Sequence, residues 1–111
     1  MKILENKTGD ILIISLGGRL DGSNSTNVEE KVLAFIDGGE KKMLFDLSEL
    51  DYVSSVGLRI FLLAAKKMKG IEGKLALCGL KDQIKEVFDL SCFSALFPIF
   101  LSQEEAVNAL E

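Results

Sequence analysis

The sequence predicts an α/β domain, a mixed sheet with helices packed on it. Three observations carry that reading. Short apolar runs alternate with amphipathic stretches along the chain. With 111 residues, 48% apolar and 27% charged, the chain is long enough for one core and too short for two ordinary domains. No repeat, low-complexity tract or linker interrupts the alternation.

The elements follow in order. Lys2 to Asn6 is short and flanked by charge, and Thr8-Gly9-Asp10 is turn chemistry, so the first two strands form a hairpin with the first at the edge. Ile11 to Leu16 is nearly unbroken apolar sequence between Asp10 and Gly17-Gly18, the pattern of a strand covered on both faces. After Gly22, the capping residues Ser23 to Asn27 precede Val28, Val32, Phe35 and Ile36, which predict an amphipathic helix ending at Gly38-Gly39. Met43 to Leu47 and Lys74 to Cys78 read as two further buried strands. Between them, Ser54-Ser55 open an apolar segment through Met68 that Gly70 closes. On a 3.6-residue wheel Leu58, Leu62, Ala65 and Met68 gather about Phe61, with Ile60 and Ala64 widening the arc, so most of this helix is buried. A helix over Asp82 to Leu90 turns Ile84, Val87 and Phe88 to one side. Phe97 to Leu101 reads as a last strand, and Ser102 opens a terminal helix with Glu104 and Glu105 in its first turn.

Composition excludes whole classes of chemistry. There is no histidine, and the two cysteines, Cys78 and Cys92, stand fourteen positions apart without a second pair, so the usual Cys/His zinc sets are ruled out. Both cysteines lie in apolar sequence and are expected to be buried, reduced thiols. Carboxylate-bound Mg2+ is the metal chemistry left open, with Asp46 and Asp51 as the nearest ligands to the serines, but Asp51 reads better as a turn residue. No nucleophile and base pair presents itself, so no catalytic residue and no bound metal are assigned. Thirteen basic against seventeen acidic residues give a charge of −4, the wrong sign for a phosphate-backbone binder. The opening residues hold too short an apolar run for a signal peptide, and no stretch reaches a membrane span. The chain reads as a cytoplasmic domain that takes no cofactor. Its oligomeric state is not encoded in any feature of the sequence.

Residues 46 to 59 carry the functional information. Ser54 or Ser55 serves as N-cap of the following helix, but no Glu or Gln stands three residues on to complete a capping box. Arg59 lies near the first turn, where the helix dipole disfavours a cation. An anion at this helix end would reconcile the two, and a phosphate on one of the serines would supply it. Gly57 either admits a close backbone approach from a partner or packs the helix on the sheet. Leu63 falls among Arg59, Lys66 and Lys67, as a scattered surface leucine or as a partner contact.

The run Asp46-Leu47-Ser48, then Tyr52-Val53-Ser54-Ser55-Val56-Gly57-Leu58-Arg59, resembles the signature of the STAS domain, the fold of bacterial anti-sigma factor antagonists. The likeness extends to Gly18-Arg19-Leu20-Asp21, the helix after Ser25-Thr26, Leu77-Cys78-Gly79 and Val87-Phe88-Asp89-Leu90-Ser91. It implies a STAS-like fold, a mixed sheet of four to five strands with helices packed mainly on one face.

The resemblance also implies a mechanism. In this family the serine before X-Gly-Leu is phosphorylated by an anti-sigma factor that is also a serine kinase of GHKL type, and a serine phosphatase resets it. By position that serine is Ser55. Many members have Asp directly before it, whereas here Ser54 stands there and becomes a second candidate acceptor. Unphosphorylated, the domain binds the anti-sigma factor and frees the sigma factor. ATP and Mg2+ would belong to the kinase. The expected contact surface takes Asp21, Ser23, Asn24, Ser25 and Thr26 from one loop, joined by Ser54, Val56, Gly57, Leu58, Arg59 and Leu63. An alternative keeps the fold without the phosphate: a subunit of a lipid-transport ATPase, or a signalling scaffold.

Overall fold

The computed structural model describes residues 1–111. β1 (Lys2–Thr8) turns at Gly9, whose φ of +61° a side chain would resist, into β2 (Ile11–Leu20), its antiparallel neighbour. β3 (Lys42–Val53), β4 (Lys74–Cys78) and β5 (Ile99–Phe100) then add in parallel, giving the order β1-β2-β3-β4-β5. Each parallel step moves the same way across the sheet, and right-handed crossovers therefore set every connecting helix on one face. α1 (Ser25–Asp37), α2 (Ser55–Gly70) and α3 (Asp82–Leu90) accordingly share one apolar core. α4 (Gln103–Leu110), capped by Ser102, follows the last strand and covers the other face.

Strand alternation divides the side chains between the two layers. Leu12, Ile14 and Leu16 of β2, with Met43, Phe45 and Leu47 of β3, enter the large core under the three helices. Ile11, Ile13, Leu44, Ala76 and Cys78 face α4 and meet Ala106 and Leu110. At the centre of the large core Phe61 packs edge-on to Phe45 at 5.1 Å between ring centroids, and Phe88 lies 5.7 Å from Phe61. Aromatic pairs at such spacings contribute about 0.5–1.5 kcal/mol beyond the area they bury.

Five sequence expectations are corrected. β2 does not stop at Gly17-Gly18, and β3 continues past Leu47 to Val53. Register shifts between Ser15 and Gly17, and between Gly18 and Arg19, let the two strands stay paired. The buried residues there, Leu47, Leu50 and Val53, recur every third position, so the period-two signature of a strand is lost. The last strand keeps only Ile99 and Phe100, because Phe93–Leu96 forms a 3₁₀ turn before it and Leu101 is largely exposed. Cys92 is exposed at a left-handed turn, φ +63°, whereas Cys78 is buried as expected; both thiols are free. Asp51 lies in β3, not in a turn, and pairs with Lys81.

Candidate functional site

The carboxyl ends of parallel strands are where loops of an α/β sheet come together. Here the β2–α1 and β3–α2 connections are joined directly. Leu20 and Val53 are register partners, and the Ser54 N–H donates to the Leu20 carbonyl at 2.9 Å. The long, shifted β2–β3 pairing thus places the loop at 21–24 beside the start of α2.

At that start the two serines have different work. Ser54 is extended and half-buried, and its Oγ accepts from the Gly57 N–H at 3.1 Å, the geometry of an N-cap. Its carbonyl takes the Leu58 N–H at 2.9 Å. Ser55 is the first helical residue, exposed, and its hydroxyl enters none of the hydrogen bonds of the protein. No acidic residue occupies the first turn. Arg59, exposed and four residues on, shares the helix face of Ser55. A hydroxyl in water beside free backbone N–H groups and a guanidinium is a position where a negative charge would be favoured.

The neighbouring loop is held by its own polar atoms. Asp21 Oδ1 accepts from the backbone N–H of Ser23 at 2.9 Å and from its hydroxyl at 2.6 Å. Those two bonds, with Arg19 nearby, hold the Asp21 carboxyl below the usual carboxylate range. Asn24 closes the loop, its Oδ1 accepting from the Asp21 N–H at 3.1 Å and its Nδ2 donating to the Arg19 carbonyl at 2.7 Å. Arg19 itself lies over the Tyr52 ring at 4.1 Å, which fixes the outer edge of both connections.

Most of the residues expected at the contact surface are within reach of solvent. Ser23, Thr26, Ser55, Val56 and Arg59 are exposed, and Asp21, Asn24, Ser54 and Leu63 are half-buried. Ser25, Gly57 and Leu58 are not available. Ser25 is buried where its N–H meets the Asp21 carbonyl, and Leu58 belongs to the core. Gly57 packs α2 on the sheet: a β-carbon there would fall 2.8 Å from Leu20 Cγ and 3.0 Å from Val53 Cγ2. The exposed part of the expected surface is therefore narrower than the sequence implied, and of the two readings of Gly57 the internal one holds. Sequence reasoning missed the Arg19–Tyr52 contact and the part of Glu29, which joins Arg59, Leu62, Leu63 and Lys66 around a groove of about 150 Å³ between α1 and α2. Glu29 sits at a helical position that reads as ordinary solvated surface, so only the packing of α1 on α2 singles it out.

Asp46 and Asp51 are engaged apart from each other, Asp46 accepting from the Ser48 N–H at 3.0 Å and Asp51 pairing with Lys81. No group of three or more acidic or cysteine side chains is assembled for a metal. No helix is long and apolar enough to cross a membrane.

The STAS domain model matches residues 2–106. BtrV of Bordetella bronchiseptica, which bears the name of an anti-sigma factor antagonist, is 40% identical over 111 residues, covering 100% of this chain and 96% of its own. Among solved structures, TM1081 of Thermotoga maritima, named in the same way, superposes with a TM-score of 0.94 at 19% identity over 97% of this chain and 93% of its own. The Bacillus cell fate determinant SpoIIAA, solved in its phosphorylated form, gives a TM-score of 0.79 at 19% identity over 99% and 100% of the two chains. With the family model spanning nearly every element described above, the chain belongs to the STAS domain family.

Proposed function

We propose that the chain is an anti-sigma factor antagonist that works by partner switching. Unphosphorylated, it docks through the β2–α1 loop and the start of α2 on an anti-sigma factor that is also a serine kinase of GHKL type, and the sigma factor is freed. The kinase brings ATP and Mg2+, phosphorylates Ser55 and loses its hold, and a serine phosphatase restores the first state. The domain takes no cofactor, catalyses nothing, makes no contact with nucleic acid and works in the cytoplasm.

One observation carries this reading: Ser54 is committed to capping α2, while Ser55 presents an exposed, unpartnered hydroxyl in the same turn. The name borne by BtrV, 40% identical, supports the class of function. Phosphorylation would add nearly two negative charges at a helix end that lacks acidic residues and carries Arg59. At an exposed helix end such a charge is favoured by the free N–H groups and Arg59, whereas burying it in a packed contact costs desolvation and repulsion. A hundredfold loss of affinity needs only about 2.8 kcal/mol of repulsion and desolvation.

The test is to incubate the protein with its cognate kinase and ATP and to map the modified residue. Phosphate on Ser55, its loss in Ser55→Ala and a loss of kinase binding of at least about a hundredfold in a folded Ser55→Asp are expected. No phosphate on either serine, with undiminished binding by Ser55→Asp, would overturn the switch and favour the non-phosphorylated subunit.

A further inference from the structure

The C-terminal half of α2, roughly 10–20 Å along the helix from Ser55, borders a cavity of about 580 Å³. This lies within the range of small-molecule sites. Its floor is apolar, with Leu62, Ala65 and Met68 from α2 and Leu75 from β4, and Leu96 and Phe97 form one wall. Leu96 is 54% exposed, so apolar surface is left to water at its mouth. The rim is basic: Lys66, Lys69 and Lys74 stand there with Glu72. None of these four enters an ion pair. The rim therefore carries two net positive charges on a chain whose total is −4. The helix dipole accounts for a lysine in the last turn of α2, such as Lys69, but not for Lys74, which belongs to β4. A second apolar crevice of about 340 Å³, beside Leu80, Phe100 and Leu101, offers a contrast, since its one lysine, Lys85, is paired with Asp89.

We infer that the cavity beside α2 binds an amphiphilic anion, an aliphatic chain ending in a carboxylate. The chain lies against Leu75, Leu96 and Phe97, and the head group sits among the three lysines. Burial of the apolar body supplies the affinity, and the lysines select the charge. This inference does not rest on phosphorylation of Ser55.

Sodium decanoate, kept below its micelle-forming concentration and titrated into the full chain under amide NMR, tests it. Saturable shifts at Leu62, Leu75 and Leu96 are expected, with none at Leu101. A Lys66→Gln, Lys69→Gln, Lys74→Gln variant should bind about tenfold more weakly, the order expected of screened surface charges. Decan-1-ol should also bind more weakly than decanoate, and Ser55→Asp should bind like the wild type. The inference is overturned by shifts that do not saturate or that are as large at Leu101. It is equally overturned by decanoate binding that ignores the lysine replacements, or by inorganic phosphate binding as tightly as decanoate, because the apolar floor would then contribute nothing.

Discussion

Ser54 and Leu20 are joined by a backbone hydrogen bond of 2.9 Å, and this bond ties the end of β2 to the start of α2. Everything proposed for the serine pair depends on that junction being tight, and Gly57 is what lets it be tight. Its α-carbon faces the fully buried Leu20 and the buried Val53, neither of which has room to retreat.

Gly57→Ala should therefore destabilise the protein, although alanine is the better helix former by about 1 kcal/mol. The added carbon would sit 2.8 Å from Leu20 Cγ and 3.1 Å from the Leu20 carbonyl, so the helix must lift off the sheet. Overpacking of this kind costs about 1–3 kcal/mol, enough to cancel the propensity gain and leave a net loss. Urea denaturation measures it, and a midpoint at or above wild type would contradict the packing described.

The replacement of each serine by alanine separates their roles by stability alone. Ser54→Ala removes the acceptor of the Gly57 N–H and should cost about 1 kcal/mol. Ser55→Ala removes an exposed hydroxyl with no partner and should change stability by less than about 0.5 kcal/mol. Equal losses in thermal or urea unfolding would show that the cap is shared.

The legibility of this site in the sequence was uneven, and for physical reasons. Elements whose period matches their type were readable: Lys74–Cys78 and Asp82–Leu90 stand where the apolar pattern put them. The extension of β3 to Val53 was not, because shifted pairing replaces alternation by a spacing of three at Leu47, Leu50 and Val53. That hidden stretch is what carries Tyr52 to Arg19 and Ser54 to Leu20, so the adjacency of the two loops came from the family resemblance and not from periodicity. Exposure was the other gap. Ser25 flanks the site in sequence but turns inward, which depends on where α1 starts on its own face, whereas the burial of Leu58 was already legible on the helical wheel and only the family resemblance drew it into the contact surface.

The β2–α1 loop should be sensitive to acid in a specific way. Asp21 is held below the ordinary carboxylate range chiefly by the Ser23 hydroxyl and Ser23 N–H, with Arg19 assisting. A carboxyl with a lowered folded-state pKa contributes its order above the unfolded value and loses it as pH falls through the folded value. Carbon-detected NMR titration should show Asp21 protonating later than an ordinary aspartate, and Ser23→Ala should move it back toward the ordinary range. An unchanged titration in the variant would remove Ser23 as the cause.

The two cysteines should differ sharply in reactivity and in their effect on alkaline stability. Cys78 is fully buried against α4, and burial, with Asp46 adding to it, pushes its thiol from 9.0 up to about 12. Cys92 is exposed. Iodoacetamide at pH 8 should add one group to the native protein, at Cys92, and two after denaturation, as read by mass spectrometry. The same shift makes stability fall at high pH. Below 9.0 both folded and unfolded chains keep the Cys78 proton and no penalty arises; between 9.0 and about 12 only the unfolded chain releases it. Through that window the slope contributed by Cys78 approaches about 1.4 kcal/mol per pH unit. Cys78→Ala should flatten the alkaline limb of the stability profile relative to wild type, and parallel limbs would mean that the thiol already ionises in the folded protein.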